Sequence, residues 1–153
     1  MGHLAVSCIY RFEELNVTEN SNKAPKYHIL IIEDEESLRF MLETKLYQVG
    51  YSVSVAATGK HGLQKFRSGQ NFDLVICDLK MPGMSGLDLF KEFKAMGGKS
   101  PFVILTGYPE KDKITEAIRL GVRDVILKPI KHLELLDRIK GFLAPKLEET
   151  QAA

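Results

Sequence analysis

The sequence predicts a doubly wound α/β domain, and three observations carry that expectation. Short β-branched runs alternate five times with helix-like segments, three of those runs are apolar without interruption, and acids, a threonine and a lysine fall just where the runs end. Unbroken apolar strands belong to a parallel sheet covered on both faces, because the crossovers between parallel strands are helices. A chain of 153 residues suits one such domain, at roughly 100–200 residues per domain.

Along the chain, residues 1–26 fit no single period. Leu4, Val6, Cys8, Tyr10 and Phe12 alternate like a strand, while Leu4, Cys8, Phe12 and Leu15 also suit one helix face. Residues 19–25 are a polar, proline-ended linker, so the folded domain is expected from Tyr27. Strands are expected over 29–32, 52–56, 74–77, 102–105 and 124–127. Between the first two, Leu38, Met41, Leu42, Leu46 and Val49 recur at helical spacing and Gly50 supplies a stop. Further helices are expected over 60–68, over 87–96 with Leu87, Phe90 and Phe93 inward, over 110–120 and over 132–143. That divides the chain into an extension at 1–26, a domain at 27–143 and a tail at 144–153.

Composition narrows the function. Twenty-one Lys and Arg stand against 20 Asp and Glu, so no global basic field recruits nucleic acid or an anionic membrane. Cys8 and Cys77 are too far apart in character and position to suggest a disulfide framework, and no apolar run approaches membrane-spanning length. A reducing cytoplasm is the expected setting. The segment around Cys8 lacks the preceding charged and apolar regions of a lipoprotein signal, and Val6 is a poor match for myristoylation at Gly2. His3, His28, His61 and His132 show no ligand spacing and are read as surface or capping residues. No G-x-G-x-x-G follows the first strand, which leaves a dinucleotide site poorly supported. Cys77 reads as a small buried hydrophobe beside Asp78.

Ligands of doubly wound sheets bind outside the carboxyl ends of the strands. The first strand runs into Glu33 and Asp34, the third into Asp78, the fourth into Thr106 and the fifth into Lys128. Carboxylates converging on one edge repel each other and call for a cation. Hard oxygen donors with no His or Cys among them favour Mg²⁺, with Ca²⁺ or Mn²⁺ weaker fits. Three acids, a lysine and a hydroxyl make the parts list for phosphoryl transfer onto Asp78. Glu35 and Glu36, taken alone, read as capping or solvated residues.

These residues resemble the receiver domain of bacterial two-component response regulators. The resemblance spans about residues 27–143 and rests on the acidic pair in Ile29-Leu30-Ile31-Ile32-Glu33-Asp34-Glu35, the block Asp78-Leu79-Lys80-Met81-Pro82-Gly83-Met84-Ser85-Gly86, the turn Leu105-Thr106-Gly107-Tyr108, and Leu127-Lys128-Pro129-Ile130. It implies a flavodoxin-like fold with strand order 2-1-3-4-5 and a phosphorylation-controlled signalling switch. It further implies Asp78 as phosphoacceptor, Thr106 and Lys128 as phosphoryl-binding groups, and Glu33, Asp34, Asp78 and the Lys80 backbone carbonyl around Mg²⁺. The Lys128-Pro129 bond is usually cis in the family.

By the same resemblance the donor is a sensor histidine kinase or phosphotransfer protein, and the face built from the fourth helix, fifth strand and fifth helix selects a downstream protein or a second, phosphorylated copy. The chain departs from the family where an aromatic residue is usual three positions before the lysine, since Val125 stands there. Tyr108 is a candidate to take over part of that role. The basic residues Lys111, Lys113, Arg119 and Arg123 are interleaved with Glu110, Asp112, Glu116 and Asp124 and read as a solvated face. No helix-turn-helix is expected in the tail, so direct nucleic-acid binding is not, and the chain reads as a single-domain regulator or the receiver part of something longer. A haloacid-dehalogenase-type phosphatase also starts from a nucleophilic Asp, but it wants a second Asp where Lys80 stands. A phosphate-independent pseudo-receiver is the other alternative.

Overall fold

The computed structural model describes residues 27–152, with side chains described through Leu143. Expectations for residues 1–26, including His3 and Cys8, lie outside the described residues. Five strands and five helices alternate: β1 (His28–Ile32), α1 (Glu36–Val49), β2 (Ser52–Ala56), α2 (Gly59–Arg67), β3 (Leu74–Cys77), α3 (Gly86–Ala95), β4 (Phe102–Thr106), α4 (Lys111–Leu120), β5 (Asp124–Leu127) and α5 (His132–Ala152). All four strand pairings are parallel and the order is β2-β1-β3-β4-β5. This is the doubly wound, flavodoxin-like topology expected from the sequence.

Composition explains which strands are central. Ile29 to Ile32 of β1, all of β3 and all of β4 are buried, whereas the edge strands β2 and β5 are mostly half-exposed and carry Ser52, Ser54 and Asp124. Alternate side chains leave the sheet on opposite faces and feed two separate cores. On one face Leu30, Ile32, Val75 and Cys77 pack with Leu89, Phe90 and Phe93 of α3 and Ala117 of α4. On the other, Ile29, Ile31, Leu74 and Ile76 pack with Leu42 and Leu46 of α1 and Leu135, Ile139 and Leu143 of α5.

Three details differ from the sequence reading. Met41 and Val49 are exposed, because α1 meets the sheet along the narrower stripe of Leu38, Leu42 and Leu46. Met41 lies about 60° around the helix from Leu38 and Val49 is its last residue. The second difference is α5, which continues past Leu143 to Ala152, so most of the expected tail is helical. Pro145 removes one backbone donor, but Lys, Leu, Glu and Gln after it are good helix formers. The third is His28, which is half-buried in β1, with its ring 4.8 Å from that of Phe72 and Nε2 2.7 Å from Ser54 Oγ, where a surface or capping role was expected.

Candidate functional site

Parallel register fixes the height of each functional residue. Ile32 pairs with Cys77, and Thr106 with Leu127, so Glu33, Asp78 and Lys128 each emerge one residue beyond a paired position. Backbone hydrogen bonds carry the ladder past the strand ends: Asp78 N–H donates to the Ile32 carbonyl at 2.9 Å, Glu33 N–H to Ala56 at 3.0 Å, and Lys128 N–H to Thr106 at 2.8 Å. The side chains of Glu33, Asp78 and Lys128 therefore stand on the rim of the sheet.

One oxygen from each of Glu33, Asp34 and Asp78 lies within 4.8 Å of the others. Glu33 and Asp78 are buried while Asp34 is exposed. Lys128 enters from β5 and bridges the two buried acids, with Nζ 2.9 Å from Glu33 Oε2 and 3.2 Å from Asp78 Oδ2. Sequence separations of 95 and 50 residues close in those two bonds.

Burial pushes the Glu33 carboxyl above its ordinary range; the Lys128 hydrogen bond pulls it back and the Asp78 charge adds to the rise. Burial works against the Lys128 ammonium, yet its hydrogen bond to Glu33 and the charges of Glu33 and Asp78 outweigh that and hold it above its ordinary value. One ammonium facing three carboxylates leaves negative charge at the rim. Their spacing and hard oxygens fit a small divalent cation, with Asp34 the exposed member of the set.

Thr106, the last residue of β4, is fully buried, and its Oγ1 accepts a 3.1 Å hydrogen bond from Tyr108 N–H. Lys80, two residues beyond Asp78, is exposed and sends its ammonium over the Tyr108 ring, 4.7 Å from the centroid. Val125 is half-buried and packs against the core that holds Phe90, Ile104 and Ala117. The Lys128–Pro129 peptide is cis. Burial, with the Asp78 charge beside it, holds the Cys77 thiol well above its ordinary value, in keeping with a structural cysteine.

Arg39 is a site residue that sequence reasoning missed. Its Nη1 donates to the Glu33 carbonyl at 2.8 Å and the Asp34 carbonyl at 3.4 Å, pinning the acidic turn from the first turns of α1. A lone cation following an acidic run was the available signal. Among the expected basic residues of α4, Lys113 pairs with Glu110 at 3.3 Å, and Glu116 pairs with Lys91 at 3.2 Å, as a solvated, charge-interleaved face would.

The sequence matches the family model of the response regulator receiver domain over residues 29–140. It is 35% identical over 127 residues to the uncharacterised transcriptional regulatory protein YkoG of Bacillus subtilis (strain 168), covering 82% of this chain and 55% of that one. It is 38% identical over 108 residues to the Regulator of RpoS of Escherichia coli (strain K12), covering 71% of this chain and 32% of that one. The chain thus spans about half or less of these relatives' length. A solved response regulator receiver domain protein from Clostridium thermocellum superimposes with a TM-score of 0.73 at 30% identity, covering 78% of this chain and 96% of that one.

Proposed function

Because this chain belongs to the response regulator receiver family of two-component systems, we propose that Asp78 accepts a phosphoryl group from a phosphohistidine donor in the cytoplasm, in a Mg²⁺-dependent reaction. The observation that carries the reading is the Lys128 bridge between Glu33 and Asp78, beside a third carboxylate at the same sheet edge. An Asp78 oxygen attacks phosphorus, a new O–P bond forms, and the donor's N–P bond breaks with its electron pair leaving on the imidazole nitrogen. Glu33, Asp34, Asp78 and the Lys80 carbonyl are the proposed Mg²⁺ ligands. Bound there, the ion would offset charge on the phosphoryl oxygens.

Once the acyl phosphate forms, the Lys128 ammonium turns to its oxygens and the Thr106 hydroxyl donates to them. Water attack on phosphorus later restores the Asp78 carboxylate. The chain acts as a phosphoacceptor switch rather than as a turnover enzyme on an external substrate. The proposed donor is a sensor histidine kinase or phosphotransfer protein. The α4-β5-α5 face, where Ile118, Leu127 and Leu133 are exposed, is the proposed output surface toward a protein target or a second copy.

Intact mass after incubation with acetyl phosphate and Mg²⁺ tests the core of this reading. One phosphoryl increment is expected for the wild type and none for Asp78→Asn or with a chelator present. An increment that survives Asp78→Asn refutes the nucleophile. A folded, Mg²⁺-binding wild type that gains nothing points to strict dependence on a cognate donor or to a phosphate-independent receiver.

A further inference from the structure

We infer that Lys80 and Tyr108 form a latch across the phosphoacceptor edge, and that phosphorylation releases the Tyr108 ring as the signal. The inference rests on the phosphoacceptor reading of Asp78 and goes beyond it. Lys80 belongs to the loop after β3 and Tyr108 to the loop after β4, two adjacent strands. The contact of the Lys80 ammonium with the Tyr108 ring therefore ties together the two loops flanking the site. Among the described residues, no other ring–cation contact joins two loops at this edge.

Both ends of the latch connect to groups that a phosphoryl would address. Lys80 follows Asp78 by two residues, and an exposed ammonium–ring contact is weak beside the attraction of an ammonium to a phosphoryl dianion. A phosphoryl on Asp78 therefore competes with the ring for Lys80. At the other end, Thr106 Oγ1 already holds the Tyr108 backbone N–H. A hydroxyl has one donor and two acceptor sites, so Thr106 can donate to a phosphoryl while still gripping Tyr108. Movement of its side chain toward Asp78 carries the Tyr108 backbone with it just as Lys80 leaves the ring. The Tyr108 side chain is 61% exposed, so a partner can read its position directly.

The two states use Lys80 differently, which is the differential interaction a switch requires. Linkage then makes the coupling reciprocal: a ring that must be released for loading opposes loading. Tyr108→Ala should bind a phosphoryl analogue about two- to five-fold more tightly, the range that an exposed cation–π contact represents.

The decisive experiment is ¹⁹F NMR of the full chain labelled with 3-fluorotyrosine, with beryllofluoride and Mg²⁺ as the probe. The chain has five tyrosines, and Tyr108→Phe identifies the resonance of interest by its loss. Bound beryllofluoride gives its own fluorine signal, which reports loading of Asp78 independently of Tyr108. The expected result is a shifted Tyr108 resonance on loading, a similar shift in unloaded Lys80→Ala, and retention of the wild-type position in unloaded Lys80→Arg. An analogue signal with an unmoved Tyr108 resonance overturns the latch alone. No analogue signal, with the protein folded, overturns the phosphoacceptor reading and the latch with it. An unshifted Tyr108 resonance in unloaded Lys80→Ala also overturns the latch, because the ring would then owe nothing to the ammonium.

Discussion

Lys128 decides the electrostatics of the site at the scale of single residues. It is the one cation within ion-pair distance of the two buried acids among the described residues, and its removal leaves Glu33 and Asp78 buried without that partner. Breaking a buried pair by deleting one partner is costly, because the remaining charge stays desolvated. Lys128→Ala should lower stability without Mg²⁺ by roughly 3 kcal/mol, and Mg²⁺ should recover much of the loss. Urea unfolding with and without the ion measures both quantities. A loss of the same size in the presence and absence of Mg²⁺ would contradict the shared role of lysine and cation. Arg39 shows a different dependence, since it touches backbone carbonyls rather than carboxylates. Its effect is to hold the turn that aims Glu33 and Asp34.

Elements set where those residues stand, and α3 shows how tightly. Ser85 caps the helix by accepting the Asp88 N–H at 3.1 Å, and Gly86 N–H donates to the Leu79 carbonyl at 2.8 Å. A Cβ at Gly86 would collide with the Asp78 carbonyl oxygen and press on the Leu79 Cα. The glycine thus lets the helix start directly against the backbone of Asp78, the proposed phosphoacceptor. Gly86→Ala should destabilise the fold by about 1–3 kcal/mol, as overpacked sites do, and should also slow phosphorylation by displacing Asp78. Denaturation coupled to the mass assay separates the two effects; an alanine variant with wild-type stability would mean that the loop yields freely. At α2 the capping residue is Thr58, which accepts the His61 N–H at 3.1 Å and moves the helix start to Gly59, one residue before the expected boundary. At β4 the strand runs through Thr106, one residue further than its apolar run suggested, because Thr106 still pairs with Leu127.

At the scale of the whole molecule, a cation bound at the proposed site would be linked to folding. Three carboxylates held on rigid strand ends lose mutual repulsion when a divalent ion binds, and the unfolded chain cannot assemble them. Mg²⁺ should raise the unfolding midpoint, with stabilisation of about 2.7 kcal/mol when its concentration is one hundred times Kd. Asp34→Asn should weaken that effect by removing an exposed ligand while leaving the Lys128 pairings in place. Thermal unfolding across a Mg²⁺ titration tests it; identical midpoint curves for wild type and variant would remove Asp34 from the ligand set.

At this scale the chain spans only part of its curated relatives, and two cores, one on each face of the sheet, draw their side chains from between Tyr27 and Leu143. Among the described residues no helix is long and apolar enough to cross a membrane.

The sequence by itself determined the class of fold and the identity of the rim residues. Unbroken apolar runs in β1, β3 and β4 can be satisfied only by burial on both faces, and residues placed directly after such strands must gather at one edge. Strand alternation and crossover handedness are local consequences of patterning, so they were legible without coordinates. Tertiary structure alone decided which face each helix spent on the core, as in the exposure of Met41 and Val49. It also decided which side chains met across long sequence separations: Lys128 with Glu33, Arg39 with the acidic turn's carbonyls, and Lys80 with Tyr108. The physical reason is one of range. Periodicity reports what a residue's neighbours along the chain require, whereas a side-chain contact depends on register and rotamer summed over several elements, to within an ångström or so.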